Sequence, residues 1–120
     1  MSKKPQELPE ELKPIVATLW EKHFPDIDPN NTTPDGKPFL ELLHNLAERN
    51  HQMLKQGTVQ SLHDTFDARF EVEEALPAMN GYSGHLVSTN YKLSSFGVEL
   101  EAAIQQHLGL EPEENRGRGR

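Results

Sequence analysis

The chain reads as an all-α protein, an antiparallel four-helix bundle, and three observations carry that reading. Apolar residues recur at spacings of three, four and seven through residues 39–56 and 59–76. Turn-forming steps such as Asp-Pro, Pro-Asp-Gly and Asn-Gly fall between the periodic stretches rather than inside them. Most connections are short, which favours antiparallel neighbours.

A length of 120 residues fits one domain. Hydrophobic residues make up 34%, enough for a modest core, and so sparse a composition is compatible with a homodimer completing it. We expect a disordered N-terminus over residues 1–8, a single helical domain over 9–110 and a disordered tail over 111–120. No apolar residue follows Leu110 in that tail. Its final Arg-Gly-Arg-Gly-Arg is too short to indicate RNA binding.

The elements follow in order. Pro9, Glu10 and Glu11 suit a first helical turn, with the acids favoured by the helix dipole. Pro14 removes a backbone bond and ends that turn, so the first helix runs from Pro14 to His23. Its apolar face is Ile15, Val16, Leu19 and Trp20. Residues 24–38 hold four prolines and three aspartates and read as loop. A calcium loop starting at Asp26 fails, because its sixth position is Asn31 rather than glycine and its twelfth is Lys37 rather than glutamate.

The second helix spans Phe39 to Gln56 and ends at Gly57, a residue suited to the left-handed position after a helix. Phe39, Leu42, Leu43, Leu46, Met53 and Leu54 form its face, with Asn50 near the middle. Thr58 caps a third helix over Val59 to Leu76, which Pro77 stops. On a wheel centred at Phe66, Val59, Leu62 and Phe70 fall within about 40°, making the expected buried stripe. Glu73 falls about 20° from that centre, and Arg69 about 60°. A fourth helix runs from His85 to Leu108 with Leu86, Leu93, Phe96, Leu100, Ala103, Ile104 and His107 on one side. Its start, Leu-Val-Ser-Thr-Asn-Tyr, also suits an extended strand.

Composition narrows the chemistry. A net charge of −7 weighs against nucleic acid as the main partner. There is no cysteine, which removes disulfides, thiolate catalysis and sulfur-built zinc sites. Gly-rich phosphate loops and nucleophile-elbow glycines are missing. No apolar run approaches the ~18 residues needed to span a membrane. A soluble, cytoplasmic protein without a cofactor is the expectation.

Two candidate surfaces remain. Acids on a buried helical line cost several kcal/mol unless paired, so Glu73 calls for a partner. Arg69, four residues earlier, supplies one. With Asp67, Glu74 and Asn50 these residues mark an interaction face for a partner protein or a second copy. The third helix carries five acids against one arginine over residues 59–76, a net of −4, and suits a basic partner.

The alternative is a metal-binding bundle, di-iron or divalent cation. Glu41-Leu-Leu-His44 and Glu48-Arg-Asn-His51 place Glu and His on one flank, as di-iron bundles do. Both steps lie on one helix about 10 Å apart, so they do not meet at one centre. His63 and Asp67 form a similar pair on the third helix. Solvated flanks and an Arg69–Glu73 ion pair account for the same residues.

The run Phe70-Glu-Val-Glu-Glu-Ala-Leu followed by Gly81-Tyr82 resembles the third-helix segment of bacterial hemerythrins. In that family a histidine precedes the glutamate by four residues and a Gly-Tyr-Pro turn follows. Glu73 stands at the glutamate position, but Arg69 replaces the histidine and Ser83 the proline. The fourth-helix histidine positions fall at Ser88 and Lys92. The resemblance implies a helical bundle and does not extend to the iron ligands.

Overall fold

A computed structural model describes residues 8–82, 84 and 86–109, and the expected disorder of residues 1–7 and 111–120 lies outside them. The chain is an all-α four-helix bundle: α1 (Lys13–His23), α2 (Phe39–Gln56), α3 (Val59–Ala75) and α4 (Leu86–Leu108). A 3-10 turn at Glu10–Leu12 leads into α1, and another at Leu76–Ala78 follows α3. Leu8, expected within the disordered N-terminus, is instead buried in the core.

The prolines act as expected. Pro9 precedes the first turn and Pro14 sits in the opening turn of α1, where its missing N–H costs nothing. Trp20 is fully buried at the centre of the molecule. It stacks on Phe24 at 4.1 Å and meets Phe96 edge-on at 5.4 Å. Its Nε1 donates to the Ile27 carbonyl at 3.0 Å, which satisfies the one polar atom of the ring. That bond also ties the proline-rich loop to the core. Ile15, expected on the inner face of α1, lies outward, and Leu12 takes the inward place.

The α2–α3 corner is fixed by local chemistry. Gly57 adopts φ 67° and donates to the Met53 carbonyl at 2.8 Å. Thr58 then caps α3: its Oγ1 accepts from the Ser61 N–H at 3.0 Å, and its own N–H donates to Ser61 Oγ at 3.1 Å. The reciprocal pair is a capping box with serine in the usual Glu position. So tight a corner lays α3 directly along α2, the most extensive helix pairing in the molecule.

Here the structure corrects the sequence. The α3 face against α2 is Ser61, Ala68 and Val72, about 200° to 240° round the helix from Phe66. Thr65 Oγ1 reinforces this orientation by donating to the Arg49 carbonyl of α2 at 3.2 Å. Small side chains at the contact let the two backbones approach closely. The large ones, Val59, Leu62, Phe66 and Phe70, consequently turn outward. Glu73, expected on a buried line, is about one-third exposed.

The other half of the bundle is built on α1 and α4. Leu93, Phe96, Leu100 and Ile104 of α4 are buried at spacings of three and four. The start of α4 is helical from Leu86, not extended. Gly81 anchors the turn before it with φ 90°, and its Cα side lies against the Asp26 backbone. Because α3 packs chiefly on α2 and α4 chiefly on α1, the backbones of α3 and α4 make little direct contact.

Candidate α3–α4 groove

Between α3 and α4 lies an open groove with a volume of about 420 Å³. Leu62, Thr65, Phe66 and Arg69 of α3 form one wall. Leu93, Gly97, Val98, Leu100 and Glu101 of α4 form the other, and Leu46, Asn50 and Met53 of α2 form the floor. Phe66 is 58% exposed, Phe70 57% and Val98 68%. Scattered apolar side chains are ordinary on a surface, but a contiguous apolar patch rimmed by polar groups marks an interaction site. Gly97 contributes by leaving the α4 wall bare: nothing lies within 4 Å of where its Cβ would stand.

The floor holds a buried polar group. Asn50 is only 7% exposed, and its Oδ1 is buried with no hydrogen-bond donor among the described residues. An unmet buried acceptor costs about 1–3 kcal/mol. Its position in the middle of the α2 face follows from the helical periodicity.

Among the described residues one polar link runs across the groove. Arg69 donates from Nε to Glu73 Oε2 at 3.2 Å and from Nη2 to Ser94 Oγ of α4 at 3.1 Å. Arg69 and Glu73 therefore form the i,i+4 pair expected from their spacing. Of the interaction residues read from the sequence, Asn50 and Arg69 line the groove and Glu73 stands behind Arg69. Asp67 and Glu74 are exposed on the flank of the stripe away from α4. Glu74 lines a separate depression of about 430 Å³ with Asp35, Lys37 and Glu71.

The histidines are dispersed. His44 and Glu48 lie half-buried in a depression shared with Lys37, Glu41 and Glu71. Burial there, with the Lys13 charge, holds the His44 pKa below its ordinary value. His51, expected on a solvated flank, is buried, with its ring centroid 6.1 Å from that of His107. Its pKa is also lowered, chiefly by desolvation and then by Lys55 and His107. His63 is exposed on α3. Among the described residues no three His, Asp or Glu side chains come together to hold a metal ion.

A second polar cluster links α1 to α4. Lys22 Nζ contacts both Glu99 oxygens at 3.0 and 3.1 Å, and the Glu99 carboxyl is held below its usual range, first by that hydrogen bond. His23 Nε2 lies 3.3 Å from Glu99 Oε2, close enough for an ion pair yet too poorly aligned for a hydrogen bond. This cluster faces away from the groove and acts as a clasp between helices.

Sequence reasoning missed the groove because it arises between two helices whose backbones pack little on each other and which meet through Arg69 and Ser94. Among the described residues no helix is long and apolar enough to cross a membrane. No protein-family model matches the chain, and no curated protein or solved structure gives a match.

Proposed function

We propose that this chain is a small acidic helical adaptor or regulatory protein of the cytoplasm, acting by protein–protein interaction rather than catalysis. The α3–α4 groove is its binding surface. The observation that carries this reading is the outward stripe of Leu62, Phe66 and Phe70 beside the equally exposed Val98. Burying a Leu or Phe side chain is worth about 1.5–3 kcal/mol, and here that free energy is left to be gained on association.

Homodimerisation through the same face is the competing form of this proposal. It brings two helices of net −4 together, and like charges across an interface oppose docking. We therefore read the partner as a different protein.

Phe66→Ser and Val98→Ser remove apolar surface without touching the core. Immobilised wild-type chain should retain a partner from lysate at near-stoichiometric yield, and the double variant should lose it. Identical retention by both would refute the groove as the binding surface.

A further inference from the structure

We infer that the occupant of the groove is a basic amphipathic helix of a partner protein, with a hydrogen-bond donor on its apolar face for Asn50 Oδ1. This rests on the groove being the binding surface. Three observations select that occupant.

Shape is the first. The groove is walled by two α-helices and floored by a third, and an amphipathic helix laid into such a groove completes the packing. Its walls, residues 62–69 and 93–101, are about 10 to 12 Å long at 1.5 Å per residue, which takes two turns of a helix. The outward stripe from Val59 to Phe70 adds roughly a third turn on the α3 side.

Charge is the second. Among the described residues Arg69 is the one cation lining the groove, and Glu73 already engages it. Glu101 on the α4 wall makes no ion pair among the described residues. A ligand flanked by Lys or Arg meets this carboxylate, whereas an acidic one is repelled by it. A second copy, with the same acids, is disfavoured for the same reason.

Asn50 is the third. The residue lines the groove and is more than nine-tenths buried, and its carboxamide oxygen has no donor among the described residues. A wholly apolar ligand leaves that acceptor unmet, so the matching helix carries a donor (Lys, Arg, Asn, Gln or Ser) at the position over Asn50.

The test uses two fluorescein-labelled synthetic peptides of about 14 residues with leucines at helical spacing and one central asparagine. One is flanked by lysines and the other by glutamates. Fluorescence polarisation is read against the full chain, with its mass followed by light scattering. The lysine peptide should bind at least about tenfold tighter than the glutamate peptide, and weaken as salt rises from ~50 to ~500 mM. Phe66→Ser with Val98→Ser should abolish binding, and Asn50→Leu should weaken it several-fold.

Equal binding of the two peptides overturns the basic partner while leaving the groove as the surface. Lysine-peptide binding that survives Phe66→Ser with Val98→Ser places it elsewhere and overturns the groove reading itself. A dimer in light scattering that the double variant abolishes assigns the groove to a second copy and overturns the partner helix. No binding by a monomeric chain overturns both.

Discussion

Replacing Asn50 with leucine should make the free protein more stable and its interaction weaker. The magnitude follows from the site. Asn50 is 7% exposed and its Oδ1 has no donor among the described residues, so the native residue carries an unmet desolvation cost of about 1–3 kcal/mol. Leucine removes that cost and adds an apolar side chain between Leu46 and Met53. Overpacking a closed core costs about 1–3 kcal/mol, but the groove beside this position has room to absorb the change. The balance is a gain of about 1–2 kcal/mol, or roughly 5–10 °C in Tm for a chain of this size. Urea titration read by circular dichroism measures it, with the slope against denaturant expected to stay constant. Asn50→Asp is the counter-variant, because a buried unpaired charge costs several kcal/mol. If Asn50→Leu lost more than about 1 kcal/mol, the Oδ1 would have to be met within the free protein, and the reasoning would fail.

Other perturbations separate the surface from the core. Phe96→Ala should cost about 3–5 kcal/mol because the ring is fully buried, while Phe66→Ala should stay within about 0.5 kcal/mol; urea midpoints compare them, and equal losses would place Phe66 inside. Gly81→Ala strains a φ of 90° and drives a Cβ into the Asp26 carbonyl oxygen. Gly36→Ala strains a φ of 92° with nothing within 4 Å, so it should cost only the conformational part, about 1–3 kcal/mol, and Gly81→Ala distinctly more. His44 and His51 have folded pKa values below their ordinary 6.5, so folding favours their neutral forms. Their contribution is complete above pH 6.5 and is lost as pH falls below it through the folded values. Tm should therefore drop between pH 7.5 and about 5.5, and His44→Gln with His51→Gln should flatten that slope; an unchanged slope would refute it.

Much of the fold was legible because local chemistry fixes it. Gly57 and Thr58 specify the α2–α3 corner, and Pro9 and Pro14 divide the first turn from α1, whatever the rest of the chain does. The rotation of α3 was not legible in the same way. A wheel puts the largest apolar residues inward, and Phe66 and Phe70 pointed to the wrong face. The weaker signal was the run Ser61, Thr65, Ala68, Val72 and Leu76 at spacings of four, three, four and four. Ser61, Thr65 and Ala68 are small enough for close packing, and a two-residue corner makes such packing necessary. Asn50 was visible as an oddity, but its meaning depends on α3 and α4 making little direct contact, which only the tertiary arrangement sets. His51 likewise looked solvated on its own helix, since its burial comes from elements that the α2 wheel does not contain.

The central claim is that the α3 stripe faces solvent in the free protein, and the chain's lack of cysteine makes this directly measurable. Phe66→Cys and Val72→Cys each introduce a single thiol, one on the outward stripe and one on the α2 contact. Labelling of each by a maleimide is timed on the folded, monomeric protein and again in denaturant. The account predicts that Cys at 66 reacts nearly as fast folded as unfolded, while Cys at 72 reacts orders of magnitude more slowly until the protein unfolds. Protection at 66 with rapid reaction at 72 would show α3 turned the other way, and the groove with its partner helix would go with it.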